Sequence, residues 1–98
     1  MTRTATHYVR HGDFVLTASE REYQVLRLVA AGLNVDVVAG ILGIHRSTTN
    51  TYIGRWMQQI GAHNKAMLAV WALQTGFITP ADVWDIWETH APALAAWK

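Results

Sequence analysis

Three sets of side chains in this sequence have types and spacing suited to chemistry. The first is His45, Ser47 and Asp36, which offer a base, a hydroxyl and a carboxylate, the residue types of nucleophilic catalysis. Nothing around them resembles a nucleophile elbow, a glycine-rich phosphate loop or a paired-carboxylate cleft, so no enzyme is expected and no catalytic residue is assigned. The second set is the five histidines. His7 and His11 have the spacing of one helical face, but their segment is not helical in pattern and only Asp13 lies near them. No metal site is expected, and no cofactor is implied. His63 and His90 fall at helix ends as surface residues, while His45 suits a helix cap or a phosphate contact. The third set is Arg46, Ser47, Asn50, Thr51, Gly54, Arg55 and Gln58, which share one side of a helical wheel. Thr49, Ile53, Trp56 and Ile60 occupy the other side. That polar side has the chemistry of a DNA groove reader. Asparagine pairs bidentately with adenine, a threonine methyl meets a thymine methyl, and arginines, serine and first-turn amides hold phosphates.

A helix of this kind needs a frame, and the punctuation of the sequence supplies one. Ser19 and Glu22 form a capping box ahead of Val25, Leu26, Leu28 and Val29, which predicts a helix over 20–31 stopped by Gly32. Asn34 caps a second helix with Val38, Ile41 and Leu42 as its apolar positions and Gly43 as its stop. The polar-faced third helix runs from about 45 to 60, and Gly61 ends it. Asn64 caps a fourth carrying Met67, Leu68, Val70, Trp71 and Leu73 as far as Gly76. Thr79-Pro80-Ala81-Asp82 opens a fifth that should run to about His90, with a last turn at 93–97 after Pro92. Ahead of them all, two β-favouring stretches flank Gly12-Asp13, which allows either a small hairpin or an extended arm over 1–18. Helices two and three, joined through Gly43-Ile44, have the layout of a helix-turn-helix. Ala39 is small where the helices approach, Gly43 stands where the turn wants a positive φ, and Val38, Leu42 and Ile44 form the wedge.

The segment from Ser19 to Ile78 resembles the DNA-binding domain of the LuxR/GerE family of bacterial transcription regulators. Ser19-Glu20-Arg21-Glu22 is similar to that family's opening, and Val25-Leu26-x-Leu28-Val29-Ala30-x-Gly32 to its first-helix signature. Val38-Ala39-x-x-Leu42-Gly43-Ile44 resembles its helix-turn-helix core, with Thr48 on the family's threonine near the start of the recognition helix. Ile60-Gly61, Lys65-Ala66, Ala72 and Gly76-Phe77-Ile78 follow its closing helix. The resemblance implies an all-α fold of four helices, dimerisation through the fourth, and DNA contact at Asn50, Thr51 and Gly54, with Lys65 as a further basic contact. This chain departs from the family at Asn50 and Gly54, where lysines are common, and at Asp36, where a basic residue is common. Tyr52 replaces a histidine and Thr49 a buried valine.

Composition sets the bounds on these readings. The 98 residues are 51% hydrophobic and only 15% charged, which describes one globular domain and leaves no room for a sensor domain beside it. Cysteine is absent, in keeping with a cytoplasmic protein, and no apolar run approaches a membrane span. The net charge of +1 is unevenly placed. Arg3 and Arg10 against Asp13 give +1 over 1–18, residues 19–76 carry +2, and Lys98 against Asp82, Asp85 and Glu88 gives −2 over 77–98. The expected partners are therefore double-stranded DNA and a second copy of the chain. The alternative is an interaction module that keeps the fold but binds a protein of the transcription machinery. Residues 79–98 lie outside the family domain and set Trp84, Trp87 and Trp97 in an apolar stripe with Val83, Ala91 and Leu94. That stripe either packs on its own domain or, with Trp71, serves a dimer or partner interface.

Overall fold

A computed structural model describes residues 7–11 and 14–98. Its order is β1 (His7–His11), β2 (Phe14–Ala18), α1 (Glu20–Ala30), α2 (Val35–Leu42), α3 (Arg46–Ile60), α4 (Lys65–Gln74), α5 (Pro80–His90) and α6 (Pro92–Ala95). The helices are cut where the capping residues dictate. Ser19, Asn34, Asn64 and Thr79 each accept a bond from a first-turn amide, and Ser19 and Thr79 close full capping boxes with Glu22 and Asp82. Gly43, at φ 65°, and Gly61, at φ 78°, end α2 and α3 in the left-handed region that side chains avoid. The last helix begins one residue earlier than the expected turn at 93–97, because Pro92 suits a first helical position.

The strands form an antiparallel hairpin in which Val9 faces Leu16 and Tyr8 faces Thr17. The hairpin alternative over the N-terminal segment is thus realised for 7–11 and 14–18; Gly12-Asp13 and residues 1–6 lie outside the described residues. Val9, Leu16 and Ala18 point inward and are buried, whereas Tyr8, Arg10, Val15 and Thr17 face outward. His7 fastens the hairpin to α1, stacking on Tyr23 at 3.5 Å between centroids, with Nε2 3.0 Å from Glu20 Oε2.

One core joins all of this. Val25, Leu26 and Val29 of α1, Val38 of α2, Ile53 and Trp56 of α3, Leu68 and Ala72 of α4, and Ile78 are buried together. Ile41 was expected among them but is 38% exposed, since Val38 and Leu42 already fill the inward arc of so short a helix. The C-terminal extension belongs to the same core. Ile86 is buried in it, Trp87 Nε1 donates to the Ala31 carbonyl at 2.7 Å, and Arg27 pairs with Asp82 at 3.7 Å. Trp97, by contrast, is 84% exposed and takes no part in a packed stripe. No helix of the described residues is long and apolar enough to cross a membrane.

Candidate nucleic-acid interface

Helix α3 presents two sharply different sides. Thr49, Ile53 and Trp56 are buried, and Tyr52, Met57 and Ile60 are half-buried against the core. Arg46, Ser47, Asn50, Thr51, Gly54, Arg55 and Gln58 are all exposed. Thr49 sits where a valine would pack, and its hydroxyl is satisfied by donating to the His45 carbonyl at 3.1 Å. A buried polar group therefore adds no unpaired donor to the inward side.

The rotation of α3 is fixed by Trp56. Its ring packs on Phe77 at 5.1 Å and edge-on to Trp71 at 5.7 Å. Its Nε1 donates to Glu22 Oε2 at 3.4 Å. Glu22 is already the N3 member of the α1 capping box, where Oε1 accepts the Ser19 amide at 3.1 Å and the Glu22 amide donates to the Ser19 hydroxyl at 3.3 Å. The residue that caps α1 thus also holds α3. Burial alone raises the Glu22 pKa. The Ser19 amide and hydroxyl, the Trp56 N–H and the charge of Arg55 outweigh burial, and the carboxyl sits below its ordinary value. Sequence reading placed Glu22 in the cap only; the tie to Trp56 spans 34 residues and leaves no local pattern.

The N-terminus of α3 differs from those of the other long helices. His45 occupies the N-cap position but makes no side-chain cap bond and is exposed. The capping role allowed for His45 is thereby corrected, because the imidazole makes no bond to the first-turn amides. Those amides remain oriented toward the outside at the positive end of the helix dipole. Among the polar residues, the Thr51 hydroxyl turns back to donate to the Ser47 carbonyl at 2.9 Å, which leaves its methyl outward. Gly54 stands in open space, with nothing within 4 Å of the position a Cβ would take.

The eight residues singled out for DNA fall on two helices. Seven lie on α3, while Lys65 begins α4 and borders a shallow depression of about 270 Å³ with Gly32, Leu33 and Asn34. One contact had no sequence signal beyond residue type: Arg46 Nε lies 3.4 Å from Oδ1 of Asp36, in the first turn of α2. The tryptophans occupy the other side of α4. Trp71 joins the Trp56–Phe77 cluster and borders an apolar depression of about 430 Å³ with Met67 and Val70. Trp84 meets Trp87 edge-on at 5.3 Å, and with Leu73, Pro80 and Val83 they line a second depression of about 200 Å³. Met67, Val70 and Leu73 are exposed between them.

The comparisons with known proteins agree with this architecture. A solved structure of Vibrio cholerae VqmA, described as a dimer in the absence of target DNA and as bearing on the DNA-binding mechanisms of LuxR-type receptors, is 26% identical with a TM-score of 0.57. The likeness covers 82% of this chain and 39% of that one, so the present chain spans well under half the length of VqmA. No curated protein sequence matches. Residues 16–72 match the family described as "Bacterial regulatory proteins, luxR family", and because that match takes in more than half of the 98 residues, the chain belongs to the luxR family of bacterial regulatory proteins.

Proposed function

We propose that the chain regulates transcription by binding operator DNA as a homodimer, with α3 in the major groove. The observation that carries this is the composition of one exposed face. Arg46, Ser47, Asn50, Thr51, Gly54 and Arg55 project from a helix whose first-turn amides lack a side-chain cap. In this reading Asn50 reads an adenine edge and the outward Thr51 methyl meets a thymine methyl. Arg46, Arg55, Ser47 and the free-standing amides hold phosphates, and Gly54 permits close backbone approach. Lys65 adds a contact at the flank. The second copy packs on the exposed Met67, Val70 and Leu73 of α4 beside Trp71, with Trp84 and Trp87 extending the apolar surface. That surface, in a family that includes a dimeric relative, supports duplication, and two weak readers on one duplex gain by avidity.

The test is titration of a labelled duplex from the gene's own upstream region at rising salt. With about three basic side chains per groove, the log–log salt slope should be no steeper than about −3 per protomer. Arg46→Ala and Asn50→Ala should each weaken the complex. No complex at low salt, or affinity indifferent to both substitutions, overturns the proposal.

A further inference from the structure

Arg46 is the basic residue nearest the start of the recognition helix, yet it is already engaged. Its Nε lies 3.4 Å from the Asp36 carboxylate, and the two side chains are 68% and 70% exposed. A pair so open to water contributes little to holding the fold. Asp36 has a second reason to stay where it is, because a carboxylate in the first turn of α2 complements the positive end of that helix. Arg46, on its longer side chain, is the partner with reach to leave the pair. It is tied back along α2 by an acid that a DNA phosphate would have to displace.

We propose, building on the DNA-binding reading above, that Asp36 is a positioning residue that latches Arg46 and sets the strength of its phosphate contact. The latch has a thermodynamic signature of its own. When Arg46 moves to a phosphate, the DNA releases about 0.9 of a condensed cation. The abandoned Asp36 carboxylate, now close to the phosphates, attracts a cation in turn. The Arg46 contact therefore adds less to the salt dependence than an unpaired arginine would. Asp36 lowers affinity for every duplex alike, since the contact it governs carries no base information.

The experiment is a double-mutant cycle on the full chain with a short random-sequence duplex, read by fluorescence anisotropy over a salt series. Asp36→Asn should tighten binding about two- to fivefold, the range of an exposed pair, and steepen the salt slope by up to about 0.9. In the Arg46→Gln background the same substitution should gain less than about twofold and leave the slope unchanged. Equal gains in the two backgrounds overturn the latch, because the carboxylate would then act by general repulsion alone. No gain in either background overturns it too. If neither the wild type nor Asp36→Asn binds any duplex at the lowest salt, the DNA-binding reading falls and takes the latch with it. A bound wild type with additive effects sinks the latch alone. Both side chains are exposed, so circular dichroism should be unchanged across the cycle, and Asp36→Asn should lower the melting temperature only by the few degrees that a lost first-turn charge costs.

Discussion

Gly54→Ala separates two roles that a glycine on the exposed face of α3 can have. The position is interior to a helix that runs from Arg46 to Ile60, and nothing lies within 4 Å of the added methyl group. Sterics therefore leave only the backbone effect. Glycine in a helix interior is less favourable than alanine by about 0.8–1 kcal/mol, so the variant should be more stable by about that amount. For a domain of this size each kcal/mol raises the melting temperature by about 4–8 °C. Chemical and thermal denaturation measure the gain directly. A melting temperature unchanged or lowered would refute the reasoning, since it would mean that 54 is not an unobstructed helical position. The duplex titration then assigns the reason for the glycine. If affinity falls as stability rises, the backbone at 54 approaches DNA closely and the methyl group intrudes. If affinity holds, the glycine is only a weak point of the helix, and Gly54→Lys should add one phosphate contact and about 0.9 to the salt slope.

The remaining predictions concern the supports of that helix. The Glu22 carboxyl is held below its ordinary value in the folded protein, so the unfolded chain binds its proton more readily. The stability it contributes is full above the unfolded value, about pH 4.3, and is lost as pH falls through the lower folded value. Glu22→Gln should therefore flatten the acid limb of a melting temperature versus pH curve, and an unchanged acid limb would count against it. Ile86→Ala should cost about 2–4 kcal/mol in urea unfolding, because Ile86 is 3% exposed and α5 is part of the core; a loss under about 0.5 kcal/mol would mean that the extension packs elsewhere. Val70→Glu, at a site 59% exposed, should leave the fold intact and halve the mass seen by light scattering. A variant that keeps the wild-type mass would remove α4 from the dimer interface.

What could be read from the sequence was what local physics decides. Ser19, Asn34, Asn64 and Thr79 mark helix starts because a side chain and an amide three residues on are neighbours in any chain that turns there. The sides of α3 follow from the 3.6-residue period, and Thr49, Ile53 and Trp56 fall inward as that period requires. Contacts between elements had no such signature. Trp56 to Glu22, Trp87 to Ala31 and Asp36 to Arg46 depend on crossing angles that no single helix encodes. Ile86 was overlooked because Trp84 and Trp87 on either side of it dominated the reading of that helix, although the branched aliphatic side chain is the one buried in the core and those two rings stay half-buried. His45 misled for the opposite reason, as a polar residue at an N-cap position whose ring makes no cap bond.

The net charge of +1 conceals how the cations are deployed, and their deployment bears on the proposed DNA reading. Arg21 donates to the Leu42 carbonyl at 3.4 Å, Arg27 pairs with Asp82 at 3.7 Å, and Lys98 pairs with Glu88 at 3.0 Å. Arg46 is paired with Asp36, and Arg55 lies in the field of Glu22. Each interaction links one helix to another or to the C-terminus, so charges that would otherwise attract the DNA backbone are already engaged within the domain. Non-specific binding is driven almost wholly by phosphate neutralisation, and here that term is small by construction. In the proposed reading, base-edge contacts from Asn50 and Thr51 do not shrink with it. What governs operator occupancy in a genome is the ratio of specific to non-specific affinity, weighted by the number of competing sites. With few uncommitted cations, the proposed reader would bind every site more weakly by about the same factor, so the ratio would rest on its base-edge contacts, and doubling it on a symmetric operator would restore the strength that the lean charge gives up.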